Sequence, residues 1–172
     1  IAVEGMRLVF ENLPKAFANG SDLEARAHMM SAAAMGATAF QKGLGAIHAL
    51  SHPIGALYET HHGMTNAVFM PYVLLFNRAA IEERIERLTG YLGIEGGFEG
   101  FLKAILGLRE RLGVPHSLPD LIPGFAPDQA RKELIADMAI VDPTAGGNPI
   151  ELTKAAALKL LEQAIEGSLQ AD

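Results

Sequence analysis

Apolar side chains recur along this chain at spacings of three and four residues, which is the period of an α-helix rather than of a strand. The pattern predicts a first helix from the start of the chain to about Pro14, where proline is expected to end it. A capping box over 21–24, formed by Ser21 and Glu24, predicts the start of a second helix that runs to about Phe40. Small residues over 32–37 would let another helix approach closely, so the second helix is expected at the centre of a bundle.

The remainder of the chain keeps the helical period. After a histidine-rich stretch at 43–63, Thr65 or Asn66 can cap a helix to about Asn77, and further helices are predicted over 79–92, 98–112, 128–140 and from 152 or 153 to 166. A Pro-rich loop is predicted over 114–127 and a turn cluster over 142–149. We find no convincing strand and no internal repeat. The sequence therefore predicts an all-α fold, an irregular helical bundle in which residues 1–172 form a single domain.

Composition restricts the partners and the compartment. With 49% apolar and 20% charged residues among 172, the chain is long enough to bury a core of its own. A net charge of −6 without a Lys or Arg cluster argues against nucleic acid or an anionic membrane as a partner. Cys is absent, which excludes disulfides and thiolate metal sites, and the longest apolar run, 67–76, is too short to span a bilayer. A soluble, cytoplasmic protein is therefore expected.

Four of the six histidines lie within fifteen residues and carry the candidate chemistry. His48 and His52 are four residues apart, so on a helix they share one face and could bind one divalent metal, and His62 follows beyond a loop that could fold back. No Glu follows His48 directly, which excludes the H-E-x-x-H mechanism of zinc proteases. From spacing alone, the alternative stays open that His48 and His52 are partly buried and bonded to backbone carbonyls. The others are interpreted as two surface residues, His28 and His116, and a loop residue, His61.

The residues around these histidines resemble the signature of the iron-containing (group III) alcohol dehydrogenases. The similar segments are GAIHALSHPIGALY at 45–58, HGMTNA at 62–67 and PYVLLFN at 71–77. The similarity extends upstream through ENLP and GSDLEAR, within 11–26, and downstream through LRERLGVP at 108–115 to the NP and LT pairs within 148–153. The resemblance therefore covers nearly the whole chain.

This resemblance implies the C-terminal helical domain of a two-domain oxidoreductase. In that family one Asp and three His hold an Fe²⁺, or in some members Zn²⁺ or another divalent metal, and an N-terminal α/β domain binds NAD(P). The last two His of the family pattern fall on His48 and His62, which are the implied metal ligands. His52 falls on a further His near the nicotinamide and the substrate, so it is the implied catalytic and cofactor-binding residue. The remaining Asp and His of the pattern, and the Gly-rich nucleotide loop, lie upstream of Ile1.

Two hypotheses follow for the chain itself. In the first, it is the metal-bearing domain of an alcohol dehydrogenase acting on a small alcohol or aldehyde, and it is inactive and binds no nicotinamide without its missing N-terminal nucleotide-binding domain. In the second, it is a stand-alone helical dimerisation or binding module with a decayed metal site. The absence of an initiator Met before Ile1 favours a fragment. An apolar face that packs against the N-terminal domain in the family would be exposed in this chain alone, and a second copy could cover it. We therefore also expect a homo-oligomer. Where His61 stands many members of the family have Pro, and its imidazole could compete as a ligand.

Overall fold

The computed structural model describes residues 1–169, whose regular elements are eight α-helices and two 3₁₀ turns, without any strand. The predicted all-α fold is confirmed. The helices are α1 (Ala2–Ala18), α2 (Leu23–Ala39), α3 (Ala46–Tyr58), α4 (His62–Leu92), α5 (Gly97–Arg111), α6 (Leu118–Leu121), α7 (Gln129–Ile140) and α8 (Lys154–Glu166). The 3₁₀ turns are Phe40–Lys42 and Ala145–Gly147. Within this part of the chain, every helix is too short or too polar to cross a membrane.

The chain divides into two compact units. The first consists of Ile1–Gly43 with Glu82–Gly113, and the second of Leu44–Ile81 with the residues from Val114 onward. In the first unit α1 packs along α2, and the edge of the Phe10 ring contacts Phe101 of α5 with centroids 6.3 Å apart.

The second unit has its own apolar core, built from α3, the first half of α4, α7 and α8. Its fully enclosed side chains include Leu50, Phe69, Tyr72, Ile135 and Leu161. Burial of large apolar side chains contributes about 1.5–3 kcal/mol each, so these residues dominate the stability of the unit. The candidate histidines lie on α3 and α4, whose buried faces are fixed by this core.

Two helices run through positions where the sequence predicted breaks. α1 continues past Pro14 to Ala18, because a proline inside a helix removes one backbone hydrogen bond without forcing the chain to stop. The helices predicted to end near Asn77 and to begin at Ala79 are one helix, α4. Asn77 does not start a new helix: its side chain bonds to Asn148, and no Gly or Pro follows it before 90.

The second helix differs in its start and in its surroundings from the prediction. Asp22, and not Ser21, is the N-cap, since its carboxylate accepts from the backbone N–H of Ala25. The helix is also not enclosed: within its unit it packs against α1, and only Ala25 and Ala32 are buried. The close approach is confined to one face, where Gly5 of α1 lies against Ala32 and Met35 of α2, while the other faces stay exposed.

The predicted Pro-rich loop contains one helical turn, α6. Ser117 and Asp120 form a capping box, in which each side chain bonds to the other residue's backbone N–H. The ends of α5 and α8 were predicted well, because Gly113 and Gly167 adopt the positive φ of 65° and 70° that typically terminates a helix. α7 begins one residue later than predicted, with Asp128 as its N-cap.

Candidate metal centre

The start of α3 is held in place by a residue far along the chain. Asn148 accepts through Oδ1 from the backbone N–H of Ala46, at 3.1 Å, and from the side chain of Asn77, at 3.0 Å. Its amide nitrogen donates to Asn77 Oδ1 and to the backbone oxygen of Ile150, both at 2.7 Å. The Asn148 amide therefore makes four hydrogen bonds and ties together α3, α4 and the segment before α8.

Two glycines make this approach possible. A Cβ on Gly45 would lie 2.8 Å from Asn148 Oδ1 and 3.3 Å from its Cα. A Cβ on Gly147 would overlap the backbone carbonyl of Leu44. The loop over 142–148, which contains the second 3₁₀ turn, thus packs directly against the N-terminus of α3. Gly45 and Gly147 have no space for a Cβ at this contact.

Three imidazoles meet where α3 faces the beginning of α4. The ring centroids of His48 and His62 are 5.2 Å apart, those of His52 and His62 are 5.4 Å apart, and those of His48 and His52 are 5.8 Å apart. His48 and His52 are partly buried and His62 is exposed. The structure therefore brings together all three residues that the sequence singled out, and the assignment of His48 and His62 as ligands stays a prediction.

Asn66, one turn along α4 from His62, bonds to two of the rings. Its Nδ2 lies 3.2 Å from His48 Nε2 and 3.0 Å from His62 Nε2. Asn66 Oδ1 is buried without a hydrogen-bond partner within residues 1–169. If the oxygen and nitrogen of the Asn66 amide were exchanged, the two N–H groups would be buried without a partner in place of one oxygen. The NH₂ group of Asn66 is therefore the group that faces the two rings and donates to them. Both Nε2 atoms are then acceptors, and their lone pairs face one common point.

Electrostatics favour the neutral form of His48. Partial burial lowers the pKa of His48, the neighbouring His62 and His52 lower it further, and only Asp142 acts in the opposite direction. A neutral imidazole keeps the lone pair that a metal ion requires. The two Nε2 atoms thus fit as two ligands of one divalent cation, since imidazole is a common ligand of the first-row metals. Within the described residues, no group of three or more potential ligands is arranged around a metal position.

His52 has a different partner. Its Nδ1 lies 2.8 Å from Oδ2 of Asp142, ninety positions away in the sequence. The other carboxylate oxygen accepts from the backbone N–H of Thr144 at 2.8 Å and from its hydroxyl at 2.5 Å. Partial burial alone would raise the pKa of the Asp142 carboxyl, but the hydrogen bonds from Thr144 and His52 outweigh it and hold the pKa below its usual value.

The other three histidines lie outside the cluster. His61 is exposed and precedes α4, where its Nδ1 accepts from the backbone N–H of Met64 at 3.3 Å and so caps the helix. His116 is exposed and donates from Nε2 to the backbone oxygen of Gly167. His28 lies half-buried on α2 and not fully at the surface as predicted, because α2 packs against α1.

Three residues of the site were not identified from the sequence. Asp142 and Asn148 were interpreted only as members of a turn cluster, and Asn66 as a possible helix cap. The sequence carries one signal for the first two: they flank a Gly-Gly pair at 146–147, which is typical of a segment that approaches another backbone closely. Their partners on α3 and α4 lie too far away in sequence for any local pattern to show.

A family profile and individual known proteins match nearly the whole length of this chain. The family profile described as "Fe-containing alcohol dehydrogenase family, C-terminal" matches residues 1–165. The chain is 37% identical to a 4-hydroxybutyrate dehydrogenase of Cupriavidus necator over 174 aligned positions, which cover 96% of this chain and 44% of that protein. It is 34% identical to an NAD-dependent methanol dehydrogenase of Bacillus methanolicus, over 98% of this chain and 44% of that protein.

The fold is also similar to that of solved structures. A crystal structure of a 1,3-propanediol oxidoreductase superposes with a TM-score of 0.86 at 32% identity, over 95% of this chain and 44% of that one. An alcohol dehydrogenase from Oenococcus oeni superposes with a TM-score of 0.84 at 30% identity, over 94% of this chain and 43% of that one. The chain thus spans less than half the length of the relatives that it matches.

Proposed function

This chain belongs to the Fe-containing alcohol dehydrogenase family and corresponds to its C-terminal domain, and we propose that it is the metal-bearing part of an NAD(P)-dependent enzyme that interconverts an alcohol and an aldehyde or ketone. The observation that carries the proposal is the cluster of His48, His52 and His62, whose ring centroids lie 5.2–5.8 Å apart. A structural role alone does not require three imidazoles to meet beside a partly buried carboxylate.

We assign His48 and His62 as metal ligands through Nε2. The shared contact with Asn66 Nδ2 supports this assignment, because two lone pairs that face one donor can also face one cation. The metal, Fe²⁺ or another divalent ion such as Zn²⁺, would act as a Lewis acid toward the alcohol oxygen and lower its pKa. Two imidazoles form half of a four-ligand site, so the remaining ligands are proposed to come from outside this chain.

We assign His52 a separate role as the catalytic and cofactor-binding residue. Its Nδ1 is already engaged by Asp142, which leaves Nε2 as the nitrogen able to accept or return the substrate proton. Its side chain is 40% exposed, so a substrate or the nicotinamide can reach the ring. His52 lies one turn along α3 from His48, which would place proton transfer next to the metal.

The proposed partner of the chain is the nucleotide-binding part of the enzyme. Because the chain spans 44% of its relatives, we propose that NAD(P) is held outside it, and that the 172 residues alone neither oxidise alcohols nor bind nicotinamide. The single-domain organisation of residues 1–172 stays a prediction. The proposed substrates are small alcohols and the corresponding aldehydes, because the three relatives named above for 4-hydroxybutyrate, methanol and 1,3-propanediol are named for substrates of this size.

A chimeric enzyme tests this function. The N-terminal part of the C. necator 4-hydroxybutyrate dehydrogenase would be joined to residues 1–172, loaded with Fe²⁺ or Zn²⁺, and assayed for alcohol-dependent reduction of NAD⁺ with a panel of small alcohols and diols. We expect turnover by the chimera and a loss of at least about a hundredfold in kcat for the His52→Ala and His62→Ala variants.

Controls separate a failed chimera from a failed proposal. Binding of NADH, followed by fluorescence, shows that the nucleotide part is folded, and His28→Ala is the matched histidine variant outside the cluster. A chimera that is folded, binds NADH and contains metal, yet transfers no hydride with any alcohol of the panel, would contradict the proposed function. Such a result would favour a helical binding module with a decayed site.

Self-association is part of the same proposal. Several large apolar side chains of the chain are highly exposed, among them Leu23 at 79% and Met30 at 75%, and a second copy of the chain is the proposed occupant of such surface. Sedimentation velocity over a dilution series is expected to show a dimer or larger species. A single monomeric species at every concentration would contradict this part.

A further inference from the structure

A carboxylate that the sequence did not single out is attached to the candidate proton acceptor. Asp142 Oδ2 lies 2.8 Å from His52 Nδ1. The Asp142 side chain is 12% exposed, whereas the His52 side chain is 40% exposed. A nearly buried carboxylate thus contacts the inner nitrogen of a ring whose other side is open to a ligand.

The orientation of this carboxylate is fixed by Thr144. The backbone N–H of Thr144 donates to Asp142 Oδ1 at 2.8 Å, and its hydroxyl does so at 2.5 Å. A backbone N–H can only donate, so the atom at the Oδ1 position must be an oxygen. One carboxylate oxygen is thus held by Thr144 and the other faces His52.

The loop that carries Asp142 is also fixed in position relative to α3. Its far end, Asn148, bonds to the backbone N–H of Ala46, and Gly147 packs against the backbone of Leu44 without room for a Cβ. The loop is therefore attached to α3 at two points, one turn or more apart. The first is the contact of Asn148 and Gly147 with the N-terminus of the helix, and the second is the contact between Asp142 and His52. These contacts fix the position of the carboxylate relative to the imidazole more firmly than an exposed ion pair between two flexible side chains would.

We propose that Asp142 is the positioning residue for His52: its carboxylate accepts a hydrogen bond from Nδ1–H, fixes the imidazole in the Nδ1–H tautomer and leaves the lone pair on Nε2 for the substrate proton. The inference deepens the proposed function, on which the role of the Nε2 lone pair rests, while the tautomer itself is a property of this chain. Carboxylates that orient a histidine in this way commonly set its tautomer in enzymes and metal sites.

The tautomer is measured directly by long-range ¹H–¹⁵N correlation spectra of the ¹⁵N-labelled 172-residue chain. The spectra are recorded at about pH 8.5, where an ordinary imidazole is neutral. In the wild-type chain we expect His52 Nδ1 to show the shift of a protonated nitrogen and Nε2 the shift of an unprotonated one. A wild-type His52 in the Nε2–H tautomer would overturn the proposal, whatever any variant shows.

The isosteric variant Asp142→Asn gives the sharper test. Because Thr144 requires an oxygen at the Oδ1 position, the amide NH₂ must take the place of Oδ2 and donate to His52 Nδ1. We expect the tautomer to invert, so that Nε2 becomes the protonated nitrogen and can no longer accept. Asp137→Asn, which alters an exposed ion pair with Lys154, is the matched control and should leave His52 unchanged.

The outcomes are distinguishable from those of the chimera assay. The spectra need neither cofactor nor substrate, so an inactive chimera leaves the assignment of Asp142 intact. An unchanged His52 tautomer in a folded Asp142→Asn chain would overturn the proposal even if the chimera were fully active. Inversion in Asp142→Asn, with no change in Asp137→Asn, supports it.

Discussion

Replacement of Asn148 by alanine tests whether the loop over 142–148 is held to α3 as described. The side chain makes four hydrogen bonds, to Ala46, Ile150 and, in both directions, Asn77. Ala46 is fully buried and Asn77 is 6% exposed, so water does not replace the lost partners at these positions. At about 1 kcal/mol net per hydrogen bond, with some return of solvent to the half-buried Ile150 carbonyl, the free energy of unfolding should fall by about 3 kcal/mol.

The assay is urea unfolding followed by circular dichroism at 222 nm. A domain of ordinary stability, about 5–15 kcal/mol, tolerates this loss and remains folded in buffer. Asn19→Ala is the matched control, since Asn19 is exposed and its side chain makes one local bond to the backbone of Ser21. The control should change the free energy of unfolding by no more than about 0.5 kcal/mol.

A double-mutant cycle with Asn77→Ala isolates the reciprocal amide pair. Each single variant breaks both bonds between the two side chains, so the double variant should cost less than the sum of the singles by about 1–2 kcal/mol. A loss below about 1 kcal/mol for Asn148→Ala, or simple additivity in the cycle, would refute the reasoning, because the loop would then be held by other contacts.

Two further predictions concern local features of the structure. Gly147→Ala, whose Cβ would overlap a backbone oxygen, should lower the free energy of unfolding by at least about 2 kcal/mol in the urea assay, whereas Gly146→Ala, which meets nothing within 4 Å, should be close to neutral; equal effects would contradict the close approach. Tyr91 donates to the Glu4 carboxylate at 2.7 Å. The pKa of Glu4 is lowered to about 2, mostly by hydrogen bonds from Arg7 and to a smaller extent by the bond from Tyr91. Tyr91→Phe should therefore raise the pKa of Glu4, which a carboxyl ¹³C titration measures. Ionised Glu4 stabilises the fold above the unfolded pKa of 4.5, and this stabilisation is lost as the pH falls through the folded pKa. In Tyr91→Phe the loss should therefore occur at a higher pH than in the wild type.

Local patterns predicted most of the helices, and the failures have identifiable causes. Helix ends at Gly113 and Gly167 were predictable because glycine alone enters the positive-φ region easily. The division of α4 near Asn77 was wrong, because a polar residue in a helix can bond outward to a distant loop instead of capping a new helix. The central position expected for α2 was also wrong: small residues permit a close neighbour but do not require one on every face.

The site was predictable only in part. The spacing of His48 and His52 places them on one face of α3, and His62 was a candidate because the loop before it could fold back. The family resemblance added the separate roles, with His48 and His62 as ligands and His52 as the catalytic residue. No periodicity connects residue 52 with residue 142, so the contact between His52 and Asp142 depends on the tertiary fold. Asn66 illustrates a second limit, since a residue that is suited to cap a helix instead donates to two imidazoles when the helix starts earlier than the pattern suggests.

The most direct test of the account is the binding of Co²⁺ to the 172-residue chain, measured by calorimetry and by the visible absorption of the bound ion. The account predicts one Co²⁺ per chain, with an affinity that falls at least about tenfold in His48→Ala and in His62→Ala, since each removes one of two imidazole ligands. His28→Ala, outside the cluster, should bind Co²⁺ as the wild type does. Unchanged binding in His62→Ala, or a wild-type chain that binds Co²⁺ no more tightly than a chain carrying both His48→Ala and His62→Ala, would contradict the claim that these two histidines form part of a metal centre.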